Sequence, residues 1–313
     1  MSRSAQMAAA GFLGSAFAEQ SPAALLKSET LVQQLHKSLN ETQKGAICLP
    51  WSDSRRQKVD NNWHIVKQPI REVLDADQQD LVKQIFHGLH SEEYVDQVWK
   101  QFDQDNKGDG GFPSASIALF GEPGTGQFEF VLTGRHCTRR CDGDSEAGAA
   151  FGGPIFYGHA AGDFNEKPDH AGNVYWYQAK RANEVFAALD GKQRKMALLD
   201  KSRAEKGNLT VELTGKKTGL EGIPMTELAS DQKDLVRKVI GDLLKPYRKH
   251  DADEAQRYIE AGGFDNLHMA FFQKQDLGND GVWDVWQIEG PNVVCYFRGA
   301  PHVHAWMHIR QPV

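Results

Sequence analysis

Apolar side chains recur at helical spacing in two stretches of this chain that read almost alike. Leu74-Asp75-Ala76-Asp77-Gln78-Gln79-Asp80-Leu81-Val82-Lys83 is matched by Leu228-Ala229-Ser230-Asp231-Gln232-Lys233-Asp234-Leu235-Val236-Arg237, an offset of 154 residues from Leu74 to Leu228. The register continues through Ile85, Phe86 and Leu89 against Val239, Ile240 and Leu243, so each stretch predicts an amphipathic helix with one buried stripe. A shorter echo, Leu39-Asn40-x-x-Gln43 and Leu189-Asp190-x-x-Gln193, is offset by 150 residues. In three of these four helix starts an Asn or Asp stands three residues before Gln, the pattern of a capping box. Ala229 breaks it, and Ser230 is the expected cap there.

Strand-like sequence follows each helical stretch. Residues 116–120, a turn at 121–126 and residues 128–133 read as a hairpin; 267–272, a turn near Gly278-Asn279-Asp280-Gly281, and 282–288 repeat the plan. A third strand follows each, at 136–140 and 293–297. Helices then a hairpin, twice over, predicts an α+β fold of two related halves, with two mainly antiparallel sheets or one continuous sheet. The halves run 19–185 and 186–313. Residues 143–172 form a Gly-rich loop that Phe151, Phe156 and Tyr157 keep packed, and 201–224 reads as an exposed linker or hairpin.

The N-terminus differs from the rest. Arg3, a mildly apolar run from Met7 to Phe17, and Ala16-Phe17-Ala18 before Glu19 predict a signal peptide over residues 1–18. The protein is then periplasmic or secreted, and cytoplasmic if the segment is not a signal peptide. No stretch approaches the roughly 20 apolar residues of a membrane span. Net charge is −6 with basic residues scattered among carboxylates, so no field exists to attract nucleic acid. Cys48, Cys137, Cys141 and Cys295 lack zinc-ribbon or haem spacing. An oxidising compartment allows one or two disulfides, but Cys137 and Cys141 on one strand are about 13 Å apart and cannot join.

Several phrases together carry a family likeness: Trp63-His64, Phe120-Gly121-Glu122-Pro123, Gly134-Arg135-His136, Leu267-His268 and His302-Val303-His304-Ala305-Trp306. With them the chain resembles, from about residue 25 to its C-terminus, the family filed as "domain of unknown function 3500". The resemblance implies a bacterial, often exported protein and no particular reaction. Many members carry two adjacent histidines after the Gly134 position, where this chain has Arg135 and His136.

His302 and His304 are the sharpest chemical feature. On an extended segment their rings share a face with Cα atoms about 6.6 Å apart, a spacing that lets both ligate one ion. His136 begins the matching strand of the other half, so a two-fold arrangement brings it to the pair. His159, Asp142 and Asp163 are candidates for a further ligand or an orienting partner, and Arg139 and Arg140 for binding an anionic group. His64 and His268, beside apolar residues, read as buried structural histidines. Asp103-x-Asp105-x-Lys107 starts like a calcium loop, but Lys107 and Ser114 stand where oxygen ligands belong. The set predicts a metal-dependent enzyme holding a single transition-metal ion: zinc for hydrolysis, copper or iron for oxidation. The alternative is a non-catalytic exported protein that binds a small-molecule ligand. The oligomeric state is not written in the sequence.

Overall fold

The computed structural model describes residues 27–160, 170, 172–273, 282–299 and 302–313. The predicted signal peptide, the turn at 278–281 and Asp163 lie outside these residues. In chain order the elements are α1 (Lys27–Ser38), α2 (Glu41–Ile47), β1 (Cys48–Leu49), α3 (Ile70–Val73), α4 (Ala76–Gly88) and α5 (Val95–Asp105), then β2 (Ser116–Gly121), β3 (Phe128–Gly134), β4 (Cys137–Cys141) and β5 (Ile155–His159). They continue with α6 (Trp176–Ala188), α7 (Gly191–Ala197), β6 (Leu198–Leu199), β7 (Ile223–Pro224), α8 (Ser230–Leu244) and α9 (Lys249–Gly262). Four strands close the chain: β8 (His268–Phe272), β9 (Val285–Glu289), β10 (Val293–Arg298) and β11 (Val303–Ile309).

The capping glutamines do more than start helices. Gln43 and Gln78 accept from the N–H groups of Asn40 and Asp75 at 2.9 and 3.1 Å. Their amides then meet, Gln43 Nε2 donating to Gln78 Oε1 at 2.7 Å and the reverse bond spanning 3.2 Å. Gln193 and Gln232 form the same clasp at 2.9 and 2.8 Å. The amides also donate to Val73 and Ser38 carbonyls in one clasp, and to Glu227 and Ala188 carbonyls in the other. Each clasp ties together the starts of two helices distant in sequence. Ser230 does not cap α8; it is the first helical residue, and Ala229 at the cap has no side-chain oxygen.

The strands form one continuous sheet in the order β1-β2-β3-β4-β5-β11-β10-β9-β8-β6, with β7 on β8. β1 is parallel to β2 and β6 to β8; the other pairings are antiparallel. Read from either edge, a two-residue parallel strand is followed by three antiparallel ones, and β5 and β11 meet in the middle. The main apolar core lies between one face and the helices, where Leu35, Val82, Phe86 and Val236 are fully buried. Burying each such side chain contributes roughly 2 kcal/mol. Irregular chain covers the other face: Val59, Val211 and Leu213 pack on Phe156, Trp306, Phe272 and Val294.

Three expectations are corrected. The stretch 143–172 contains β5, one of the two central strands. Gly152, Gly153, Pro154 and Gly158 interrupt the apolar run and conceal it, since both residue types weaken strand patterns. The stretch 201–224 is not an exposed linker throughout, for Arg203 and Glu205 bond to the sheet and Thr210 and Val211 are buried, while residues 214–219 are exposed as expected. Helix α6 also runs through the boundary drawn at 185/186. All four cysteines are free, and burial pushes the Cys137 thiol up to about 11.

Candidate metal centre

Strand register builds the centre. β4 pairs with β5 through Cys137 opposite Tyr157, so His136 falls in the row of Gly158. β11 pairs with β5 through His304 opposite Gly158, and with β10 through His304 opposite Arg298. His136, Gly158, His304 and Arg298 therefore share one row across four strands. Neighbouring strands are about 4.8 Å apart, so side chains flanking a glycine can meet over it. A Cβ on Gly158 would lie 3.3 Å from His136 Cδ2 and 2.1 Å from the Val303 carbonyl oxygen. Only glycine fits that approach.

His136 also depends on its backbone. It is the second residue of the two-residue turn joining Gly134 to Cys137, with φ of 56°. A non-glycine residue there is strained by about 1–2 kcal/mol. The Asn61 carbonyl accepts its N–H at 2.8 Å, and Asp105 holds its ring. Tertiary bonds thus maintain a conformation the local sequence disfavours.

The Nε2 atoms of His136, His302 and His304 form a triangle with edges of 2.9, 3.0 and 3.1 Å. His136 and His304 are buried and His302 is half-buried. On the far side of His136, Nδ1 faces Asp105 Oδ2 at 2.9 Å. On the far side of His304, Nδ1 bonds Glu205 Oε2. A carboxylate only accepts, so a neutral His136 carries its proton on Nδ1 and presents a bare Nε2 lone pair; His304 Nδ1 faces both Glu205 and the donor-only Arg298 Nη2. His302 can place a proton on at most one edge of the triangle. With the His304 proton also on Nδ1, the remaining lone pairs face each other at contact distance, an arrangement that a cation relieves. The three nitrogens are close enough together for all of them to bond one ion at the usual 2.0–2.1 Å.

The surroundings disfavour the charged forms of His302 and His304 and favour those of the two carboxylates. Burial, with His136 and His304 alongside, depresses His302 to about 3. Burial also depresses His304, although Glu205 opposes it. Asp105 is held below the usual carboxylate range because hydrogen bonds from His136, His159 and the Ala160 N–H outweigh its burial. Glu205 is lowered in the same way, burial being outweighed by His304 and Arg298. Arg298 Nε donates to Glu205 Oε1 at 2.7 Å, and its Nη2 lies 2.9 Å from His304 Nδ1. Phe156 borders the centre, its ring centroid 5.3 Å from that of His304 and 6.2 Å from that of His136.

Other candidates lie elsewhere. Asp142 follows the far end of β4, roughly 20 Å from His136 along the strand, and accepts from the Glu146 N–H at 2.8 Å. His159 is buried behind Asp105, 3.6 Å from Oδ1, because successive strand residues point to opposite faces. Arg139 and Arg140 do not present an anion fork to solvent; both are buried. Arg139 donates to His90 Nε2 at 3.1 Å and the Phe156 carbonyl at 2.6 Å, between the rings of Tyr157 and Tyr247. Arg140 donates to Glu129 at 2.6 Å, Pro154 and Lys58 carbonyls at 2.7 Å, and the Arg56 carbonyl. His64 is exposed and His268 half-buried, neither the buried residue expected.

Sequence reading missed Asp105, Glu205 and Arg298. Asp105 sat inside the rejected calcium pattern, and its position as the last residue of α5 is its only further signal. Glu205 lies in irregular chain, where no periodicity marks it. Arg298 ends β10 opposite His304, a pairing visible only in the sheet.

No helix among the described residues is long and apolar enough to cross a membrane. No curated protein and no solved structure matches the chain. A family model described as "Protein of unknown function (DUF3500)" matches residues 23–312, a span that takes in every histidine, carboxylate and arginine of the centre. By that match over nearly its whole length, the chain belongs to the DUF3500 family.

Proposed function

We propose that this protein is a metal-dependent enzyme with a mononuclear centre ligated by His136, His302 and His304. The observation that carries the reading is the Nε2 triangle, with two of its imidazoles oriented by carboxylates on Nδ1. Paired carboxylate–histidine contacts are how proteins fix the tautomer and raise the basicity of metal ligands. Three imidazole ligands leave coordination positions for water and substrate. A bound ion would supply Lewis acidity if zinc, for hydrolysis, or electron transfer if copper or iron, for oxidation. The chain's own residues then act around it. Asp105 and Glu205 hold the rings, Arg298 fixes Glu205 and offers positive charge beside His304, and Phe156 and Trp306 keep water from the floor.

The same reading takes residues 1–18 as an export signal and the chain as an internal duplication. The mirrored strand order and the two glutamine clasps support the second point. Natively purified protein is expected to carry one transition-metal ion per chain, measured by elemental analysis. His302→Ala should reduce it to background while circular dichroism stays unchanged, since His302 is half-buried and outside the apolar core. At a free ion concentration 100 times Kd, the wild type should gain about 2.7 kcal/mol. Metal-free protein that gains no stability from zinc, copper or iron would leave the small-ligand-binding protein as the better reading.

A further inference from the structure

The dipeptides Asp105-Asn106 and Arg135-His136 are each divided between two places. Asp105 and His136 belong to the histidine centre, whereas Asn106 and Arg135 line a separate cavity. That cavity has a volume of about 410 Å³, and Asn62, His64, Arg71 and Asp109 also border it. Five chain segments converge there, and the walls are polar almost throughout.

Its two arginines, like exposed Arg194 and Arg257 among the described residues, have no carboxylate partner, and what sets them apart is that both border one cavity. Arg55, Arg181 and Arg237 each have a carboxylate within ion-pair distance. Among the described residues neither Arg71 nor Arg135 has one. The Arg71 guanidinium donates only to the Asp109 carbonyl, at 3.0 Å. Arg135 is anchored by its backbone, with its N–H donated to Asn106 Oδ1 at 3.1 Å, and its side chain is exposed. Trp63 also lines the cavity, with Lys58 Nζ 4.7 Å from the centroid of its ring. Asp109 is the single carboxylate in the wall, so the arginines leave the cavity net positive.

We propose that this cavity is an oxyanion-binding site, gripping a phosphate or carboxylate group between Arg71 and Arg135. Guanidinium forks match the paired oxygens of either group and form charge-assisted bonds roughly twice as strong as neutral ones. One residue step separates the cavity from the histidine centre on both walls. If the metal reading holds, the site anchors the anionic end of the substrate. Anion binding itself needs no metal.

Isothermal titration of metal-stripped full-length protein with inorganic phosphate, and separately with succinate, tests the site. At least one probe should saturate with a Kd below about 1 mM, and the tighter of the two names the group. Arg135→Ala and Arg71→Ala should each weaken that probe at least about tenfold, and Arg135→Lys should recover only part of the loss because it lacks the fork. Arg257→Ala, which removes a positive charge on α9, should bind as the wild type does. Failure of both probes to saturate by about 10 mM would overturn the site. So would wild-type binding by both alanine variants, or equal weakening by Arg257→Ala, which would reduce the effect to overall charge. Loss of metal stoichiometry with anion binding intact would discard the enzyme reading and leave this site standing.

Discussion

Two turns hold like positions in the sheet and end in different chemistry. Gly134-Arg135-His136 precedes β4, and Gly290-Pro291-Asn292 precedes β10. At the first, His136 bonds Asp105, the last residue of α5. At the second, Asn292 Nδ2 donates to the Tyr258 and Arg310 carbonyls, beside α9, whose last residue is Gly262. Across from His136 stands Gly158, which leaves room above the sheet. Across from Asn292 stands Arg310, whose guanidinium fills its side and pairs with Glu146 at 3.0 Å. The strand geometry offers two comparable places. An imidazole on a strained turn and a glycine in the central strand turn one of them into a histidine cluster that could hold an ion; an amide and an arginine make the other part of the scaffold.

Filling the open end should have the largest effect on the histidine centre. Gly158→Ala puts a Cβ 2.1 Å from the Val303 carbonyl, so metal binding should vanish and stability fall by roughly 2–3 kcal/mol. Gly262→Ala at the other end crowds Asn292 Oδ1 at 1.9 Å, and should lower stability while leaving metal content unchanged. Elemental analysis with denaturant melts on both variants separates the two ends; equal metal loss would break the comparison.

Next comes the buried carboxylate at the scaffold end of β4. Burial, then the charges of Glu129 and Asp144, raise Asp142 to about 7 against the bond from the Glu146 N–H. Between its unfolded pKa near 3.8 and about 7 the folded state keeps a proton that the unfolded state has released, so stability falls as pH rises through this window. Asp142→Asn keeps an acceptor for Glu146 without the charge. It should be more stable than wild type by up to roughly 4 kcal/mol at pH 8, with the gap closing towards pH 4, in urea melts across that range.

A smaller change is expected at the irregular segment over the sheet. Glu205→Gln keeps the shape but removes the acceptor charge from His304 and Arg298, and should weaken metal binding 10- to 100-fold by competition titration. Folding should be little altered. The smallest effects belong to the clasps. Gln43→Ala and Gln193→Ala should each lower stability by about 1–2 kcal/mol, nearly equally, because the lost amide bonds are the same in both. A marked inequality would show that the two helix pairs carry different loads.

The clasps also mark how far local sequence reaches. The four helix starts, and the strands β2, β3, β4, β8, β9 and β10 within a few residues, were legible because caps and side-chain alternation act over two to four positions. The shared face of His302 and His304 was legible for the same reason. The choice of His136 as their companion came from strand correspondence, and the row through Gly158 supplies its physical basis.

What only the tertiary structure decided concerns groups far apart in the chain. His136 and His304 are separated by 168 residues, and Glu205 and His304 by 99. No local pattern encodes a bond between positions that distant. β5 stayed hidden because Gly158 breaks the apolar run, yet that missing side chain makes space for His136. Arg139 and Arg140 read as binders of an anionic group because charge alone does not disclose burial, and Glu129, Phe156 and Pro154 supply their partners only once the strands pair. The sequence by itself determined the elements and the faces they present. Pairing across the sheet decided which side chains lose water together, and that loss is what turns scattered histidines and carboxylates into one centre.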